Sequence, residues 1–396
     1  MTNKRRFRPC EPQTPPPGPR VKSIPPVSSQ TAKFYAGRPG LITPFATPDI
    51  LQTLSLMFRR PLMSLAAYCD SDIQGVAQWP IDWKGPLGVA QRLPVRYTGL
   101  VTEPENIAPS VRALQKALAK RRVGRAYYSF SPQYRLNVEE LQRQLSDVGL
   151  AAAIRNDFEP LVDRPIGGSE PPVIIVPSVA CILQIEGTSE DEIIAAVAQA
   201  RARTSLRQTL RHISGRDATM DDVAVHLPRF LARTYGRTGN DVPYPPGAFD
   251  IFWQRHSMDP NVLMRTMALD SSNQPVGMAI GIMHDDVVYS LLLVRDYTVA
   301  KSLNVTARLI TDMAAKARAN GCSYFDLGGG TPGIVEFKVR LGSRCHTYVD
   351  MQVTHPCYRS LFNLWEYRKK RHRVLQAATL ASRVPHRSSF YEYASY

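Results

Sequence analysis

Apolar positions along this chain follow two spacings, and the switches between them mark its elements. Residues 87–102 (LGVAQRLPVRYTGLVT) and 125–132 (RAYYSFSP) carry the β-branched and aromatic residues that suit pleated strands. Between them Val111, Leu114 and Leu118 recur at helical spacing, and Lys116, Lys120, Arg121 and Arg122 close that helix where cations complement its dipole. A second helix over 138–150 stops at Gly149, and a strand is expected over 151–163. Residues 164–172 (RPIGGSEPP) have the composition of a linker. Beyond it lie a strand at 179–185 and helices over 188–210, 219–235 and 245–256. Residues 261–270, 275–286 and 287–295 then read as three strands joined by tight turns. An amphipathic helix follows over 302–321, with Leu309, Met313 and Ala317 on one face and Gly321 as its stop. A strand at 322–330 ends in glycines, a short helix fills 331–343, and 347–355 is a last strand.

Elements in this order specify an α/β (α+β) protein with a mixed sheet. The length of 396 residues predicts two or three domains, at about 100–200 residues each. Hydrophobic residues make up 44%, which excludes wholesale disorder. No apolar run reaches the roughly 18 residues of a membrane span, so no integral membrane contact is expected. The basic start has no apolar segment behind it, which argues against secretion. Six scattered cysteines without a C-x-x-C fit a reducing cytoplasmic setting, with neither a disulfide framework nor a zinc site.

Charge changes the picture once it is divided. The net charge is +15, of which residues 1–45 carry +7 and residues 356–396 carry +6. Residues 1–45 also hold ten prolines, so they read as a disordered basic arm. The C-terminal stretch reads as a basic amphipathic helix, with Leu361, Leu364 and Trp365 turned to the body and Arg368–Arg371 outward. Two basic tails on a nearly neutral body suit a polyanionic partner; a solvated, solubilising face is the plainer reading.

The order strand–strand–strand–helix–strand–helix–strand over 262–355 is that of the GNAT acyltransferase fold. Within it, residues 325–348 (FDLGGGTPGIVEFKVRLGSRCHTY) resemble the motif of the Fem-type (FemAB-like) aminoacyltransferases. The matching residues are Asp326 and Gly328 at the strand end, the pair Phe337–Lys338, and Gly342. LPVRYTGLV at 93–101 resembles a motif of the first half of those proteins. The resemblance implies tandem GNAT-like domains: a half at 46–163, the linker 164–172 and an acyltransferase half at 173–355, flanked by the arm 1–45 and the tail 356–396. Acetyl-CoA-dependent members place a glycine-rich loop before the long helix, and its amides hold pyrophosphate. Residues 295–309 contain no glycine. Without it the resemblance implies no bound cofactor and an aminoacyl-tRNA co-substrate, with tRNA met by the basic tails. A coenzyme A or acyl-carrier-protein thioester is the alternative donor, its pyrophosphate meeting amides near Ser302 and Asn304. A non-enzymatic RNA-binding protein on a degenerate GNAT fold is the alternative of another class. The acceptor would be an amine-bearing small molecule or cell-wall precursor.

Acyl transfer to an amine needs a neutral amine, a stabilised oxyanion and a protonated leaving group. No Ser/His/Asp or Cys/His arrangement is legible, so direct attack is expected. Asp326 would orient or deprotonate the amine, or else bond the amides of the glycine loop. Lys338 would contact a phosphate or the oxyanion, or else be a surface helix lysine. Phe337 is a candidate substrate contact whose plainer role is packing, and Gly328 and Gly329 are most simply a tight turn, one that also lets a substrate approach the backbone. Tyr289 and Tyr97 are candidate proton donors whose plainer role is packing. The histidines show no metal spacing, so no metal is expected.

Overall fold

The structure is a computed structural model. It describes residues 19–364 apart from 27, 39–40, 91–94, 156–170, 186–191, 193–199, 238–240, 258–261, 299–303 and 363. The first half begins with β1 (Arg20–Ser23), α1 (Ser29–Ala36) and α2 (Pro48–Met57). Strands β2 (Leu62–Cys69), β3 (Asp72–Lys84), β4 (Leu87–Ala90) and β5 (Gly99–Thr102) follow. Then come α3 (Ile107–Lys120), β6 (Val123–Phe130), α4 (Val138–Asp147) and β7 (Ala152–Ile154). The second half runs β8 (Val173–Gln184), α5 (Ala200–His212), β9 (Ser214–Arg216), α6 (Met220–Gly236) and α7 (Ala248–His256). It continues through β10 (Leu263–Leu269), β11 (Pro275–His284), β12 (Val287–Arg295) and α8 (Val305–Ala319). It closes with β13 (Tyr324–Gly328), α9 (Pro332–Arg340) and β14 (Arg344–Thr354).

All the strands join one mixed sheet in the order β1-β2-β3-β4-β6-β14-β8-β13-β12-β11-β10-β9, with β5 on β3 and β7 on β8. The two halves meet edge to edge. β14 pairs with β8 from Arg344↔Ile182 to Val353↔Val173, and with β6 from Val349↔Phe130 to Thr354↔Arg125. Each half repeats one device, a helix that crosses between two parallel strands: α3 between β4 and β6, α8 between β12 and β13. In α8, Leu309, Met313 and Ala317 are fully buried, as their spacing predicts. The helix starts at Asn304, whose side chain accepts from the Ala307 amide.

Where β12 and β13 part decides the site. They pair only from Val287↔Tyr324 to Tyr289↔Asp326. β12 then runs on to Arg295 while β13 ends at Gly328, so a wedge opens at the C-terminal ends of both strands.

The proline-rich arm differs from expectation. The described residues between 20 and 46 are part of the folded body: β1 pairs with β2, Ser28 and Thr31 form a capping box on α1, and Phe34, Ile42 and Phe45 are buried. Proline misleads here because it flanks the elements, at Pro25–Pro26 and Pro44, and interrupts none of them. Some of the arm's charge is already committed, since Arg38 pairs with Glu103 at 2.9 Å. The C-terminal segment also differs. Leu361 and Leu364 are exposed, and Phe362 is the buried residue, lying under the Arg125 guanidinium. Residues 1–18, most of the linker, Ser302, Trp365 and Arg368–Arg371 lie outside the described residues.

Candidate active site

At the root of the wedge stands Asp326, 3% exposed on β13. One carboxylate oxygen accepts from the Gly328 amide at 2.7 Å, closing a tight turn in which Gly328 has φ +68°. The other accepts from the Tyr97 hydroxyl at 2.8 Å. Tyr97 belongs to the first half, so two residues 229 positions apart share one hydrogen bond. Its backbone has φ +59°, a left-handed conformation that costs a non-glycine residue on the order of 1 kcal/mol or more. Its carbonyl accepts from Thr43 Oγ1 at 3.3 Å, and its ring meets Tyr348 edge-on at 5.3 Å. Burial and the neighbouring Asp326 charge push the Tyr97 hydroxyl well above its ordinary value, so it stays a donor.

Tyr289 lies directly across from Asp326 on β12. It is buried, its hydroxyl is pushed up by that burial, and Phe45 packs edge-on against its ring at 5.9 Å. The supposed arm therefore buttresses the site.

Lys338 is not a surface lysine. It is 7% exposed, and its ammonium donates to the carbonyls of Leu327 at 2.6 Å, Gly328 at 3.0 Å and Gly329 at 2.7 Å. All three N–H bonds are thus engaged, so in this arrangement it clamps the glycine turn and has no donor left for a phosphate or an oxyanion. Burial, helped by the nearby Arg96 charge, pulls its pKa down to about 8. Gly329 is required by contact: a Cβ there would lie 2.3 Å from the Val179 carbonyl oxygen. Phe337 is half-buried and packs against the hydrophobic cluster beneath α8. Asn304 is occupied as a helix cap, and its amide donates to Thr209 Oγ1.

One residue is absent from the expected set. Arg96 precedes Tyr97, and its guanidinium lies against Gly328, where a Cβ would fall 1.2 Å from Nη1. Nη1 is 4.0 Å from Asp326, and the side chain is 28% exposed. It is a cation at the solvent side of the turn, where Lys338 is held on the inner side. The sequence signal was only its place within LPVRYTGLV. Together these groups supply a buried carboxylate, a fixed hydroxyl donor and a partly exposed guanidinium around a glycine turn. Among the described residues, no group of three or more His, Cys, Asp or Glu is placed to hold a metal.

The family model for the acetyltransferase (GNAT) domain matches residues 198–339. No curated protein matches the chain in sequence. Among solved structures, the chain is similar to FemX, at 13% identity over 86% of this chain and 100% of that one, with a TM-score of 0.61. It is also similar to a tandem GNAT protein from the clavulanic acid biosynthesis pathway, at 10% identity over 85% and 98% of the two chains, with a TM-score of 0.52. At such identities the likeness is one of fold, and it extends over both halves.

Proposed function

We propose, from the premise that the second half carries a GNAT acetyltransferase domain and that the chain shares the fold of FemX and of a tandem GNAT protein, that this chain is a Fem-type acyltransferase that transfers an aminoacyl group from aminoacyl-tRNA to an amine. The observation that carries this reading is the convergence of Arg96 and Tyr97 from one half on Asp326 and Gly328 from the other, at the root of the wedge. Asp326 accepts the proton of the incoming amine, and Tyr97 holds the carboxylate in place. The amine nitrogen attacks the ester carbonyl directly, forming the amide as the ester C–O bond breaks, and the ribose oxygen of the tRNA leaves as a hydroxyl with the proton that Asp326 took from the amine. Arg96, the partly exposed cation beside the turn, faces the oxygen on which negative charge develops. Lys338 is a positioning residue that keeps the turn closed.

Two features speak for a donor other than coenzyme A. Residues 295–309 lack glycine. Asp296, 1% exposed at the end of β12, accepts from the Thr298 amide at 2.9 Å and so occupies a backbone donor of the loop before α8.

The test is transfer of labelled amino acid from bulk charged tRNA to a panel of amines, with labelled acetyl-CoA in parallel. Label should pass from the tRNA, stop with ribonuclease, and fall about 10²–10⁴-fold in Asp326→Asn with the fold intact by circular dichroism. Transfer from acetyl-CoA alone would sink the aminoacyl reading.

A further inference from the structure

At the outer end of the wedge, four arginines gather around the neighbouring residues Asp296 and Tyr297. Arg229 and Arg233 lie one turn apart on α6, and Arg237 follows at the same spacing just past its end. Arg295 reaches in from the end of β12. None is a loosely solvated side chain. Arg233 pairs with the buried Asp296, and Arg229 Nε approaches the same carboxylate at 3.7 Å. Arg229 also donates to the Pro275 carbonyl at 3.1 Å. The guanidinium groups of Arg237 and Arg295 stand over the Tyr297 ring, 4.6 and 4.2 Å from its centroid. Within this cluster four cations face one carboxylate, while Arg229 and Arg233 remain 45% and 38% exposed. A buried carboxylate and a ring thus fix the directions of guanidinium groups that still reach solvent. That is the arrangement a phosphate site needs, because ordering costs have been met before the ligand arrives.

We infer that this arginine cluster holds phosphate groups of the acyl donor. The inference rests on the wedge being the acyl-transfer site. Its place suits that role. Arg295 is six residues beyond Tyr289 on one strand, hence about 20 Å from the level of Asp326 at some 3.3 Å per residue. A single strand of nucleotides bound by its phosphates at the cluster spans that gap in about six stacked residues, at about 3.4 Å each, or in fewer when unstacked. A duplex end at the arginines with its unpaired, acylated 3′ terminus running down the wedge fits this geometry. The diphosphate of coenzyme A offers the same chemistry, and side-chain guanidiniums would then stand in for loop amides.

The test is a variant with Arg229, Arg237 and Arg295 each changed to Gln, leaving Arg233 to neutralise Asp296. Its control is Lys116→Gln, Lys120→Gln and Arg318→Gln, three exposed cations elsewhere. Both are made in the full chain, and thermal unfolding checks that each is folded. A second variant with the same three positions changed to Lys keeps the charge and should recover part of the binding. Affinity for uncharged bulk tRNA and for coenzyme A is measured across a salt series. If the donor phosphates are those of RNA, the Gln variant loses at least about tenfold in tRNA affinity. The slope of log affinity against log salt becomes shallower by about 2–3, and the control changes neither. If coenzyme A binding falls and tRNA binding does not, the phosphate site stands and the aminoacyl-tRNA reading fails. If the Gln variant and the control bind both ligands as the unaltered protein does, the cluster is not a phosphate site. Failure of aminoacyl transfer in the unaltered protein, with tRNA binding still lost in the Gln variant, would condemn the reaction and leave the site.

Discussion

The bond between Tyr97 and Asp326 is the smallest unit that ties the halves into one site, and it sets a measurable cost. Tyr97→Phe keeps the ring packing against Tyr348 and removes one hydrogen bond to a buried charge, a loss of about 1.5–3 kcal/mol. It should also lower transfer activity, though less than Asp326→Asn, because the carboxylate survives. An unchanged urea midpoint would show that the hydroxyl does not restrain Asp326. Lys338 makes a prediction of definite sign. Its folded pKa of about 8 lies below the ordinary value of about 10.4. Between those values the unfolded chain binds more protons, so this residue's contribution to stability rises with pH and is least favourable below about pH 8. Comparing urea unfolding of the protein and Lys338→Met at pH 7 and 9.5 tests this: the parent should gain on the variant at the higher pH. Asp326, Tyr97 and Lys338 were each legible in the sequence as chemistry. Their connections were not, since residues 97 and 326 meet only once the halves pack. Lys338 reads in the sequence as a contact to a phosphate or the oxyanion, or else as a surface lysine, and neither reading reveals its three carbonyl partners; Arg96 carries no signal apart from its neighbour.

At the scale of elements, local pattern served well wherever packing and periodicity agree. The three strands β10–β12, the buried face of α8 and the glycine-ended β13 all lie where the spacing of apolar residues places them. It failed where composition pulled the other way, as in β1 and α1, which lie in a proline-rich stretch although Phe34 and Tyr35 of α1 are buried. The turn after β13 is the tightest element of the site. Gly329→Ala would set a methyl 2.3 Å from the Val179 carbonyl oxygen, and a backbone atom cannot swing aside as a side chain can. The turn must move, at a cost of about 1–3 kcal/mol. The displaced carbonyls would also leave Lys338, so activity should fall more steeply than stability. Denaturation and transfer rates measured on the same preparation check this; a silent substitution would mean that β8 and the turn do not approach as described.

For the whole molecule, the arm is the sharpest test of the architecture. Removing residues 1–46 takes away β1, α1, the Thr43 bond to Tyr97 and the Phe45 ring against Tyr289. Losing the buried side chain of Phe45 alone is worth about 3–5 kcal/mol. The truncated chain should therefore unfold at markedly lower urea and lose activity, whereas a truncation that behaves like the parent would mean the arm is dispensable. The C-terminal strand has a wider consequence. β14 is hydrogen-bonded along one side to its own half and, from Val349 to Thr354, along the other to β6. Cut from its companion, the second half would end in a bare strand edge from Val349 to Thr354, with open backbone donors and acceptors and with Val349, Met351 and Val353 uncovered, the template on which chains stick to one another. The first half thus acts as a built-in chaperone. Besides lending Arg96 and Tyr97, it covers the edge along which its neighbour would otherwise aggregate.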